Sequence, residues 1–166
     1  MSDERPLVGV AAVSLLFGVM LQIVPLPAML ADLRPDWLLL ILVYWCLTTP
    51  SRFGLSLAFV LGLVLDTLTG ALLGQHALAM LLVVLVALKF RLRVRVFPMA
   101  QMMIAILVLL TIYQFTLFWI DGVTGRTVDP AARWQPLVTG TAAWPLVFWL
   151  LNRARRDAGP QPIRLD

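Results

Sequence analysis

Six apolar windows, at about residues 6–25, 36–50, 54–70, 76–91, 98–120 and 135–151, leave this chain little polar sequence with which to cover itself in water. A helix on the surface of a soluble protein needs a polar face, and these windows have none of useful width. Composition agrees. The chain is 61% hydrophobic and 13% charged, where soluble domains sit near one half and one quarter. The windows predict an all-α integral membrane protein with six transmembrane helices. They form one domain over residues 1–151, followed by a basic tail over 152–166, and 166 residues leave no room for a second domain.

The second, third and fourth windows are short against the roughly 20 residues that a span requires. The second is the shortest, with an apolar core from Trp37 to Leu47 closed by Thr48-Thr49-Pro50. It fits a short span or a re-entrant segment, and hydropathy with loop length favours the span. The first window runs from Leu7 to Val24, longer than a signal-peptide core. Pro25-Leu26-Pro27 follows it instead of a small-residue cleavage site, so it reads as a retained helix.

Basic residues set the orientation. With a cytoplasmic N-terminus, Arg5, Arg52, Lys89, Arg91, Arg93, Arg95, Arg153, Arg155, Arg156 and Arg164 fall inside, and Arg34, Arg126 and Arg133 outside. Removing any one span would move a basic cluster to the outer face, so the positive-inside rule predicts both termini in the cytoplasm. The net charge of +4 thus reflects topology rather than nucleic-acid binding. Asp121 to Trp134 is expected to form a polar outer loop, with Gly122, Gly125 and Pro130 as breakers.

Against this background a few polar residues stand out: Arg34, Asp36, Arg52, Asp66, Gln75 and His76. Ionisable groups at membrane depth cost several kcal/mol unless paired. Counting about 1.5 Å per residue from Gly54 puts Asp66 in the outer half of the membrane, near Arg34, Asp36, Gln75 and His76. An Arg34–Asp66 or Arg34–Asp36 pair is expected to offset the burial cost. A structural knot fixing helix register is favoured over a ligand or proton site. Around Asp66, the residues Gly54, Ala58, Gly62, Gly70 and Gly74 recur every fourth position, a stripe of small residues that lets helices approach closely. Packing within the chain is favoured over a homodimer face.

Enzymatic chemistry has no set of residues to run on. His76 is the one histidine and Cys46 the one cysteine, which excludes an internal disulfide. Scattered carboxylates around one His do not give metal-ligand spacing, and no nucleophile–base pair is recognisable. A proton relay would need carboxylates in the inner halves of the helices, and these supply none. No cofactor is implied. Lys89, Arg91, Arg93 and Arg95 alternate with apolar residues as a cytoplasmic basic strip, a topology anchor on anionic lipid headgroups or a docking strip for an acidic partner.

The stretch Arg34-Pro35-Asp36-Trp37-Leu38-Leu39-Leu40-Ile41-Leu42-Val43-Tyr44-Trp45 resembles the start of the second helix in MreD, the bacterial rod shape-determining membrane protein family. Pro50, Arg52 and Gly54, then Gly62-Leu63-Val64-Leu65-Asp66, then Leu73-Gly74-Gln75-His76-Ala77-Leu78, continue the likeness. The resemblance implies a non-enzymatic assembly component of the cell-elongation machinery in the bacterial inner membrane. Its implied partners are the single-span scaffold MreC, the filament MreB, a SEDS glycosyltransferase and a class B penicillin-binding transpeptidase, which together make lateral peptidoglycan. It also implies a fold similar to the substrate-binding subunits of energy-coupling-factor transporters. Arg34, Asp36, Asp66, Gln75 and His76 carry over as knot or docking residues, with no catalytic role. The alternative reading is a substrate-binding subunit of a transporter for a vitamin-like small molecule.

Overall fold

The shortest apolar window becomes the centre of the protein. In a computed structural model, which describes residues 5–25, 27, 33–49, 54–94, 97–126 and 130–158, each window is a helix. In chain order they are α1 (Arg5–Ile23), α2 (Trp37–Thr48), α3 (Leu55–Thr69), α4 (Gln75–Val94), α5 (Met99–Val123) and α6 (Pro130–Asp157). No strand occurs among the described residues. Every residue of α2 from Leu38 to Leu47 is buried. A helix that is apolar all round must be covered all round, and α1, α4 and α6 pack against it. Its 12 residues extend only about 18 Å. Trp45 Nε1 ties it to α1 by donating to Ser14 Oγ at 2.9 Å.

The outer surface is apolar. Val13 is 67% exposed, Leu16 65%, Ile104 62% and Val138 68%, whereas Asp36, Asp66, Gln75, Gln114 and Asp121 are buried. Such a surface is costly in water and natural in a bilayer, where lipid covers the apolar face and polar groups must find partners inside. By length and composition α5 is long and apolar enough to cross a membrane alone, while Leu7–Ile23, α2 and α3 are apolar but shorter.

Helices α3 and α4 form the closest-packed hairpin. A Cβ on Gly62 would lie 2.2 Å from Ala77 Cα and 2.5 Å from Ala77 N, so glycine is what permits the contact. Ala58, one turn earlier, is fully buried. The stripe then ends for conformational reasons. Gly70 takes φ +66° and closes α3 through its N–H to the Asp66 carbonyl, and Gly74 takes φ +97° in the turn before α4. Left-handed backbone of this kind suits glycine. At Gly54, the start of α3, no described residue lies within 4 Å of where a Cβ would stand.

Two expected boundaries move. The outer loop anticipated from Asp121 to Trp134 contracts, because α5 continues to Val123 and α6 begins at Pro130. Asp121 and Arg133 become helical residues that bond across the gap. At the other end α6 continues past residue 152 to Asp157, so the basic residues Arg153, Arg155 and Arg156 belong to the helix. Pro136 and Pro145 lie inside α6. Arg52, Arg95 and residues 159–166 lie outside the described residues.

Candidate functional site

The connections gather six helix ends at one end of the bundle: the C-termini of α1, α3 and α5 and the N-termini of α2, α4 and α6. Helix termini leave backbone N–H and C=O groups without intrahelical partners, and away from water each needs another. The polar residues embedded in the apolar sequence meet that need.

Asp66, in the last turn of α3, reaches across the turn to α4. One carboxylate oxygen accepts the Gly74 N–H at 2.8 Å. The other accepts the His76 N–H at 2.9 Å and pairs with His76 Nδ1 at 2.8 Å. A carboxylate from one helix thus caps the start of the next, where the helix dipole favours negative charge. Asp66 is 1% exposed.

Arg34 does the converse. Its guanidinium donates to the carbonyl oxygens of Gln22 and Val24, closing the C-terminal end of α1. The expected Arg34–Asp66 or Arg34–Asp36 pair is therefore replaced. The cation is spent on backbone carbonyls, and Asp66 on backbone N–H groups and His76. Replacing Arg34 with Gln is expected to fray this end of α1 at a cost of about 1 kcal/mol. Faster amide exchange over residues 20–24, with α4 unaffected, is the measurement that checks it.

Asp36 precedes α2 without capping it. Its carboxylate accepts from Gln114 Nε2 of α5 at 2.7 Å, between residues 78 apart in sequence. Gln75 Nε2 donates to Asp121 Oδ1 at 2.9 Å, and Arg133 donates to Asp121 Oδ2. Arg133 also lies within electrostatic range of Asp36, His76 and Tyr113. These links join α3 to α4, α4 to α5, α5 to α6 and the start of α2 to α5, and Arg34 fastens α1. Gln75 Oε1 and Arg133 Nε remain buried without a partner among the described residues.

Of the five residues expected to meet here, Asp66 and His76 touch. Asp36 and Gln75 instead pair with Gln114 and Asp121, which sequence reasoning missed together with Arg133. A signal for two of them was present. Gln114 and Asp121 are seven residues apart in an apolar run, on one face of α5, and that is the spacing of a polar stripe seeking buried partners. Of the basic strip, Lys89 is exposed and Arg91 half-buried at the opposite end of α4, which also carries Arg93.

Among the described residues no three His, Cys, Asp or Glu side chains gather as a metal site would require. The arrangement consists of caps, amide–carboxylate bonds and one Arg–Asp pair. The profile of the rod shape-determining protein MreD family matches residues 4–155. The chain belongs to the MreD family. It is 28% identical over 139 residues to the rod shape-determining protein MreD of Haemophilus influenzae, covering 82% of this chain and 84% of that one. No solved structure matches it. Membership in the MreD family carries a general role in bacterial cell shape, association with the membrane and no catalytic activity.

Proposed function

We propose that this chain is an inner-membrane assembly component of the cell-elongation machinery, with six spans, both termini in the cytoplasm and a helix arrangement resembling energy-coupling-factor substrate-binding subunits. Its polar network holds the outer ends of the helices in register, and an apolar groove receives the membrane helix of the single-span scaffold MreC. Through that scaffold it joins the MreB filament, the SEDS glycosyltransferase and the class B penicillin-binding transpeptidase in lateral-wall synthesis. The observation that carries this reading is the division of labour in the fold. The polar groups turn inward onto each other and onto helix ends, while α4 and α5 leave an open groove of about 510 Å³ lined by Leu78, Leu82, Thr111, Phe115 and Trp119. Phe115 and Trp119 are 58% and 59% exposed there. In lipid, helices associate through van der Waals packing, and a shaped apolar groove offers a membrane helix such a surface. Gly62, by contrast, is already filled by Ala77 and has no room for a partner.

The test is site-directed photocross-linking in cells expressing both proteins. Probes at Leu82 and Phe115 are expected to capture the scaffold's membrane helix, and probes at Phe17 and Met20 on α1 are not. Capture from α1 alone, or from neither face, would sink the groove. Retention of a vitamin-like small molecule through purification would favour the transporter reading instead.

A further inference from the structure

At the end of the bundle opposite the polar network, a second cavity of about 250 Å³ has the chemistry of an anion site. It lies between the C-terminal ends of α2 and α6, and its lining includes Tyr44, Trp144, Phe148, Asn152, Arg155 and Arg156. Tyr44 is 1% exposed and Trp144 0%, yet among the described residues the Tyr44 hydroxyl and the Trp144 indole N–H have no hydrogen-bond partner. Unpaired buried polar groups are rare in folded proteins and costly, so two lining one cavity call for an occupant. The remaining groups agree on its charge. Arg155 Nη2 donates to Asn152 Oδ1 at 3.1 Å, which engages that acceptor and leaves the amide hydrogens as donors. Both Arg155 and Arg156 act electrostatically on the Tyr44 hydroxyl. Among the described residues no carboxylate lines the cavity.

The donor set, two guanidiniums with a phenol, an indole and an amide, contains no competing negative charge. Phosphate oxygens accept several such bonds at once, and Arg binds them in bidentate fashion. The apolar wall is equally informative. Tyr44 and Trp144 each pack against Phe148, with ring centroids 5.8 Å and 6.1 Å apart. A fully hydrated ion has no use for such a wall, whereas the glycerol and first acyl carbons of a lipid do. We propose that this cavity binds the phosphate group of an anionic phospholipid from the cytoplasmic leaflet, with Arg155 and Arg156 on the phosphate and Tyr44 and Trp144 donating from below. Such a site operates whichever partner fills the α4–α5 groove.

Arg153 supplies the control. It sits on the same turn but stacks its guanidinium over Trp149 at 5.8 Å, outside the cavity. Native mass spectrometry of the full chain in detergent, titrated with phosphatidylglycerol or phosphatidylcholine, reads binding directly. The double variant R155Q/R156Q is expected to lose phosphatidylglycerol affinity by about tenfold or more, since two charge-assisted contacts disappear. Tyr44→Phe, which keeps the ring and removes only the donor, is expected to weaken it several-fold. Arg153→Gln, with the charge loss of a single site Arg, is expected to leave it unchanged. Competition by millimolar sodium phosphate would identify a soluble phosphate as the source of the same chemistry. No competition would assign the site to the lipid. Equal weakening by Arg153→Gln, or phosphatidylcholine binding as well as phosphatidylglycerol, would overturn the site. Melting temperatures of the lipid-free variants separate loss of binding from loss of fold.

Discussion

Replacing Gly62 with alanine, a single added methyl group, is expected to lower the melting temperature of the detergent-purified protein by about 6–12 °C. Alanine in a helix interior ordinarily gains roughly 0.5–1 kcal/mol over glycine, so intrinsic propensity predicts the opposite sign. Packing decides. The new Cβ would stand 2.2 Å from Ala77 Cα, 2.5 Å from Ala77 N and 2.9 Å from the His76 carbonyl carbon. All three are backbone atoms of α4, so no side-chain rotation relieves the clash and the two helices must separate. Overpacking of this kind costs about 3 kcal/mol at the upper end of its usual range, and each kcal/mol moves the midpoint about 2–4 °C in a chain of this size. Gly62→Leu is expected to prevent accumulation of folded protein altogether. Gly54→Ala is the matched control, because among the described residues nothing lies within 4 Å of its Cβ position and its extended backbone is open to alanine. A Gly62→Ala protein that melts with the wild type would show that α3 and α4 are not packed as described.

That glycine also shows what was readable in advance. The four-residue recurrence from Gly54 to Gly74 pointed to a helix face of close approach, and in the fold the glycine at the contact is Gly62. Which helix approached, and that Gly70 and Gly74 serve a turn instead, depended on where α3 stops. The six helices were legible for a related reason, since apolar windows and basic clusters are long and redundant signals. The polar network was legible in part of its membership, without Gln114, Asp121 and Arg133, and not in its pairing. Charge reasoning looked for the cation nearest Asp66 and reached Arg34. It missed the N–H groups at the start of α4, which carry no formal charge but concentrate partial positive charge at a helix terminus. The same bias assigned Asp121 to a loop, because a carboxylate at the end of an apolar run resembles a boundary. In the fold it lies 4% exposed between Gln75 and Arg133. Local patterns thus announced the elements, and the unpaired helix ends decided their partners.

Asp66 is where those helix ends matter most, and Asp66→Ala is expected to cost about 2–6 kcal/mol. The substitution strips partners from the half-buried Gly74 and His76 N–H groups, at up to about 1–3 kcal/mol for each donor left unsatisfied, and it releases the His76 ring as well. Asp66→Asn separates hydrogen bonding from charge. The amide keeps one carbonyl acceptor and turns an NH2 toward the second donor, so its loss should fall between wild type and alanine. Replacing His76 with Phe removes only the ring contact and should cost least, about 1 kcal/mol. Hydrogen–deuterium exchange resolves the cause. Residues 74–78 should open in the order Asp66→Ala, then Asp66→Asn, then His76→Phe, while α2 at the centre stays protected. Because Leu78 lines the α4–α5 groove, fraying at this point should also weaken cross-linking to the scaffold in the same order. Equal exchange in all three variants would mean that Asp66 does not cap α4 and does not join the C-terminal end of α3 to the start of α4.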